Sequence, residues 1–185
     1  MNSIEIMVKE HEYISRMLLV VRKACYKVFE GDEICYEDFS EMVDFIRNYA
    51  DKHHHGKEEK FLFQEMINHL GELGNKLIRN GMFVEHDLGR LYIQELCEAL
   101  EQVKGGNEES KLDVIANGIG YTNLLRRHID KENDVIYTFA ERQLSKEVLT
   151  KVNEDSMAFE EEATKNGTQE HYIKLLERLE AKYLG

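Results

Sequence analysis

The sequence predicts an all-α protein, an antiparallel up-and-down four-helix bundle with a short C-terminal helical extension. Three observations predict it. None of the 185 residues is proline, so nothing interrupts helix interiors. Most glycines fall in a few clusters that divide the chain into long segments. Within those segments apolar residues recur at helical spacing.

The first helix is predicted from Ser3 to Phe29 and stops at Gly31-Asp32. The second runs from Tyr36 to Leu70, with a bend at Gly56. Gly71, Gly74 and Gly81 loosen the next connection, and the third helix occupies Met82 to Val103, ended by Gly105-Gly106. Asn107 is the expected N-cap of the fourth, which opens on Glu108 and Glu109 and continues to Gln143; acids in a first turn complement the helix dipole. Gly118 and Gly120 fall inside this helix and weaken its first half. Ser145 caps a fifth helix, and Asn166-Gly167-Thr168 separates it from a sixth that ends near Glu180. Short loops between long helices favour up-and-down connectivity. Residues 1–144 are therefore expected to form the bundle, and residues 145–185 an extension packed on its outside.

Bulk composition narrows the function. The formal charge is −12, which disfavours nucleic acid and anionic lipid as partners. No apolar run is long enough to span a membrane. The segment Met1-Asn2-Ser3-Ile4-Glu5 has neither the basic stretch nor the apolar core of a signal peptide. Cys25, Cys35 and Cys97 form no CxxC pair and are read as cytosolic thiols. The expected location is the cytoplasm.

The eight histidines carry the chemistry. His11 sits in a stripe of Ile4, Met7, Ile14 and Leu18, at offsets −7, −4, +3 and +7, so it faces the core. His128 has Tyr121, Leu124 and Leu125 behind it and Val135, Ile136 and Phe139 ahead, with Glu132 one turn along the same face. In the triplet His53-His54-His55, periodicity selects His54, whose face holds Ile46, Ala50, Phe61 and Leu62, with Glu58 at +4. His53 shares its face with Lys57 and Lys60, and His55 with Asp51 and Glu59, so both are read as solvated. His86 follows Met82 and Phe83, precedes Ile93, Cys97 and Leu100, and has Gly89 at +3, which leaves room beside the backbone. His69 and His171 belong to no such face.

The segments around His54 and His128 share one pattern: His, three residues, Glu, two residues, then a bulky triplet. It reads His54…Glu58 before Phe61-Leu62-Phe63, and His128…Glu132 before Val135-Ile136-Tyr137. One such HxxxE is weak evidence, whereas two on two core faces are specific. A lone inward histidine is usually a hydrogen-bonded core residue. Four of them with two buried glutamates are hard to satisfy without a cation. Imidazoles and carboxylates in a bundle core suit iron, manganese or zinc, and the count favours two ions over one zinc. Ferritin-like bundles supply Glu-x-x-His; here the order is reversed and the spacing is four.

The segments Lys9-Glu10-His11, His53-His54-His55-Gly56-Lys57-Glu58-Glu59, Val84-Glu85-His86-Asp87 and His128-Ile129-Asp130-Lys131-Glu132 resemble the hemerythrin-like HHE cation-binding family over residues 3 to 143. The resemblance implies a non-haem di-iron centre, oxo- or hydroxo-bridged, in a four-helix bundle. It would make His11, His54, His86 and His128 terminal ligands and Glu58 and Glu132 bridges. One departure matters. Oxygen-carrying hemerythrins place His-x-x-x-His on the third helix, and Met82 stands where the first of that pair would be. A thioether is a poor ligand for ferric iron, which leaves two imidazoles per iron and water, Tyr121 or Glu85 as candidates for the gap.

Open coordination on a redox metal allows binding or reduction of O₂, peroxide or NO. That is the expected function, with a reductase or other electron donor as partner. Two alternatives are an oxygen or iron sensor acting by conformational change, and an iron-handling protein that repairs clusters. The tail is amphipathic through Phe159, Tyr172, Leu175, Leu176, Leu179 and Tyr183; it packs on its own bundle or mediates a homodimer.

Overall fold

The computed structural model describes residues 1–185. It contains helices and no strand. Helix α1 is Ser3–Glu30, started by an Asn2 capping box with Glu5 and ended by Gly31 in the left-handed conformation, where a side chain would be strained. Helix α2 covers residues 36–69, α3 residues 71–104, and α4 residues 111–143 after a short 3₁₀ turn at Glu108–Ser110. The extension is α5, Lys146–Lys165, capped by Ser145, and α6, Thr168–Tyr183.

Two boundaries differ from the sequence reading. The connection before Met82 is itself helical, because Gly71, at φ +59°, makes the whole turn from α2 and α3 starts at once. Asn107 makes no side-chain cap; the 3₁₀ turn starts the fourth helix instead.

Neighbouring helices run antiparallel. Along α1 and α4, His11 meets Asn133 while Cys25 meets Gly118; along α3 and α4, Glu85 meets His128 while Tyr92 meets Gly120. The two glycines that weaken α4 locally have a packing reason. A Cβ on Gly118 would lie 2.4 Å from the Cys25 sulfur, and one on Gly120 2.6 Å from the Tyr92 ring.

The apolar core is in two parts. One holds Ile14, Met17 and Leu18 of α1 with Phe45, Tyr49, Leu96, Leu125 and Ile129. The other holds Ile4 and Met7 with Leu62, Phe63, Met66, Met82, Ile136 and Tyr137. His11 lies between them in sequence and in space, in a polar layer that crosses the bundle. The extension lies against the bundle. Leu176, Leu179 and Tyr183 join the larger core, Asn153 accepts from the Ser3 amide at 2.9 Å, and Arg16 donates to Glu180 at 2.8 Å. No helix is long and apolar enough to cross a membrane.

Four stretches are π-helical: Ile46–His55, Glu58–Leu62, Ile78–Met82 and Glu132–Ile136. Wide turns of this kind are rare and concentrate at functional sites. Two of them start on the glutamates of the two HxxxE patterns.

Candidate metal centre

The polar layer collects every histidine and glutamate that the sequence singles out. His11, His54, Glu58, His86, His128 and Glu132 are all buried, the two glutamates completely. Ligand-type atoms of His11, His54, Glu58 and Glu132 lie within 4.8 Å of one another, and so do those of His55, His86 and His128. Glu132 spans the two groups, with Oε2 3.2 Å from His11 Nε2 and Oε1 3.1 Å from His128 Nε2. Glu58 Oε2 is 3.7 Å from both His54 Nε2 and His86 Nε2.

The sequence reading was wrong about His55 and His53. Both are buried, at 5% and 3% exposure. The acids beside His55 do not mark a solvated face: Asp51 takes its Nδ1 at 3.2 Å, and its ring stacks on His86 with centroids 3.8 Å apart. The layer therefore holds five imidazoles, not four, with His55 grouped beside His86 and His128. Met82 itself is a core residue. Of the two side chains considered for the gap at Met82, Glu85 bonds the back of His128, and Tyr121 lines a cavity behind His55 and His86. His53 points to the opposite side, stacked between Tyr49 and Phe159 of the extension. The extension covers a face that periodicity alone leaves in water. His69 and His171 are exposed, away from the layer.

Each of the five rings has its Nδ1 held from behind. His11 pairs with Asn133 at 2.8 Å, His54 with Glu10 at 2.8 Å, His55 with Asp51, His86 with Glu59 at 2.7 Å and His128 with Glu85 at 2.9 Å. An acceptor behind Nδ1 fixes the proton there and turns the Nε2 lone pair inward. Four of these acceptors are carboxylates, and each is paired with a cation. Lys57 contacts Glu10, Arg90 contacts both Asp51 and Glu59, and Lys131 contacts Glu85. The sequence carried a signal for these partners in the acids directly beside inward residues (Glu10, Glu59, Glu85) and in Asp51, one turn before His55.

Inward, the layer crowds acceptor atoms against one another. His54 Nε2 and His11 Nε2 face each other at 2.8 Å, and His86 Nε2 and His128 Nε2 at 3.1 Å. Glu58 Oε2 and both oxygens of Glu132 accept no hydrogen bond although they are buried. Buried carboxylate oxygens without donors are costly, and lone pairs aimed at a common space are what a cation satisfies. The donor set fits metal ions of the iron, manganese or zinc type.

The electrostatics of the protein alone agree. Burial, and then the neighbouring Glu132, hold the Glu58 carboxyl well above its usual range. Burial also pushes Glu132 upward, but His128, His11 and His86 outweigh it and keep the group ionised. Burial and the neighbouring His11 depress His54 to about 4. For His128 burial is outweighed by Glu132 and Glu85, which raise it to about 9. Glu58 Oε1 accepts from the Tyr137 hydroxyl at 2.5 Å, and the Tyr137 ring stacks on His11.

A cavity of about 280 Å³ opens against His55 and His86, walled by Ile46, Ile93, Tyr121 and Gly89, with Arg47 and Arg90 at its edge. The Gly89 side is tight: an added Cβ would sit 3.3 Å from Leu125.

Fold and layer together define a helical bundle built around a buried imidazole–carboxylate centre suited to cations. The Hemerythrin HHE cation binding domain matches residues 2–140, and the chain belongs to that family. No curated protein and no solved structure matches it.

Proposed function

We propose that the protein holds two iron ions in this layer and uses them to bind or reduce a small oxidant, O₂, peroxide or NO. One observation carries the reading. Five Nε2 atoms, each with its Nδ1 secured from behind, converge with two buried carboxylates on a space where three carboxylate oxygens have no donor. In the assignment we favour, His11 and His54 would hold one ion and His55, His86 and His128 the other, and Glu58 and Glu132 would complete the donor set.

When bound, the irons supply electrons and open coordination positions for the oxidant. The protein's residues do the rest. The His11–His54 side offers two imidazoles against three on the other, so the protein leaves that side less complete. Tyr137 donates to Glu58 and fixes its orientation. The two apolar cores exclude bulk water on either side of the layer. The small cavity and the complete burial of both glutamates restrict access to small molecules.

Reduction draws electrons from a separate donor, and three free cysteines fit a reducing, cytoplasmic setting. We treat residues 1–144 as the bundle that carries this chemistry and residues 145–185 as its extension. The test is to reconstitute the full chain with iron(II) without air and then expose it to O₂ or peroxide. Near-ultraviolet oxo-to-iron bands with oxidant consumption support the proposal. A stable adduct without turnover assigns carriage or sensing. A colourless sample that ignores both oxidants contradicts it.

A further inference from the structure

We propose that the C-terminal extension is coupled to the metal layer through the buried Lys57, so that loading the centre tightens α5 on the bundle. The proposal rests on the metal reading above. It starts from a contrast among the cations that neutralise the outer carboxylates. Arg90 is 39% exposed and Lys131 48%, so water replaces a lost partner at either. Lys57 is 1% exposed. A buried ammonium tolerates the loss of a counterion poorly.

Lys57 has two counterions from different parts of the fold. One is Glu10 of α1, whose other oxygen takes His54 Nδ1 at 2.8 Å. The second is Glu160 of α5, whose Oε2 accepts from Gln169 Nε2 of α6 at 2.9 Å. His53 Nε2 lies 3.0 Å from Glu10 and 3.2 Å from Glu160, with its ring against Phe159. One polar chain, buried from His54 to Lys57 and half-buried beyond, therefore runs His54, Glu10, Lys57, Glu160, Gln169, from the layer to the extension. Glu160 and Gln169 lie beyond the residues the family description covers.

The coupling follows from the chemistry of His54. Holding a cation at Nε2 requires the proton at Nδ1, directed at an ionised and correctly placed Glu10. Glu10 keeps that position while Lys57 balances it, and Lys57 stays buried while Glu160 is docked. Lifting α5 leaves Lys57 with one counterion or draws it toward water, and either change loosens the support behind His54. By reciprocity, a filled centre holds Glu10 and Lys57 in place and favours the docked α5. Occupancy of the centre is thereby reported on the outer surface, at the extension.

The experiment measures hydrogen exchange of residues 146–165 in the full chain with and without iron(II), alongside iron affinity by chelator competition. Iron is expected to slow that exchange by roughly fivefold or more. Glu160→Gln should weaken iron binding by about tenfold and abolish the slowing while helix content is kept. The double change Lys57→Met with Glu160→Leu removes the ion pair between the bundle and α5 and should leave exchange in α5 indifferent to iron. Should Glu160→Gln fail to fold, the wild-type comparison decides by itself. A wild-type chain that takes two irons with unchanged exchange in α5, or a Glu160→Gln chain that binds iron as tightly, overturns this inference alone. A chain that takes no metal overturns it together with the metal reading.

Discussion

An imidazole in a protein core has two nitrogens to satisfy, and the side chain behind it decides which one faces inward. Asp51 does this for His55, as Glu10 does for His54. His55 is accordingly expected to act as a ligand, whereas His53, which faces Glu10 and Glu160 through Nε2, is not. His55→Ala, His128→Ala and Glu58→Ala should each lower bound iron from about two per chain to about one or fewer, and His53→Ala should keep both. Metal analysis of the purified variants checks this, and a His55→Ala chain that retains both ions would exclude it from the set. The burial of the six residues singled out from the sequence was legible because each lies on an apolar stripe at helical spacing. His55 was not, because its neighbours Asp51 and Glu59 look like a solvated face when they are in fact the acceptors behind His55 and His86.

Elements follow the helical period closely until they reach the layer, where the π turns break it. After Glu58 and again after Glu132 the backbone bonds five residues back rather than four. The buried face slips by a residue in each case. Leu62 and Phe63 are buried while Phe61 is only half-buried, and Ile136 and Tyr137 are buried while Val135 is 51% exposed. A period of 3.6 gives the helices and the inward histidines but not this slip, which depends on the tertiary setting of the glutamates. The turn between α2 and α3 was likewise read as a loose connection. The helix in fact starts at Gly71, and Gly74 in its first turn lies against the end of α2, where an added Cβ would lie 2.4 Å from the Met66 carbonyl oxygen. Alanine gains about 1 kcal/mol of helix propensity, but the obstacle is main chain and cannot swing aside, so overpacking at about 1–3 kcal/mol wins. Gly74→Ala is expected to lower stability by about 1–2 kcal/mol, read by denaturant titration. An unchanged or raised midpoint would mean that the corner opens freely.

For the molecule as a whole, the layer trades protons for cations. At neutral pH the metal-free protein keeps a proton on His128, held up to about 9, and the raised Glu58 carboxyl retains its own well above the usual carboxylate range. His54, depressed to about 4, is already neutral. Loading near pH 7 must displace the His128 proton, and that of Glu58 wherever it is still held, so about one to two protons are released per chain. Apparent affinity should climb as pH rises toward about 9 and level off once His128 has lost its proton. Titration calorimetry in buffers of different protonation enthalpy measures the release, and binding without it would contradict the electrostatics described. At this scale the sequence made the bundle, the break at residues 144–145 and the amphipathic tail legible. It did not reveal that the tail buries His53 and supplies Glu160, because pairing between Lys57 and a residue 103 positions away leaves no local pattern.

The account stands on cations occupying the space between five imidazoles and two carboxylates. Crystals of the iron-loaded full chain, measured across the iron absorption edge, test it most directly. Two anomalous peaks are expected, one against His11 and His54, the other against His55, His86 and His128, with Glu58 and Glu132 touching both. An iron-replete crystal with no peak in the layer, or with iron only beside Glu10, His53 and Glu160, would contradict it.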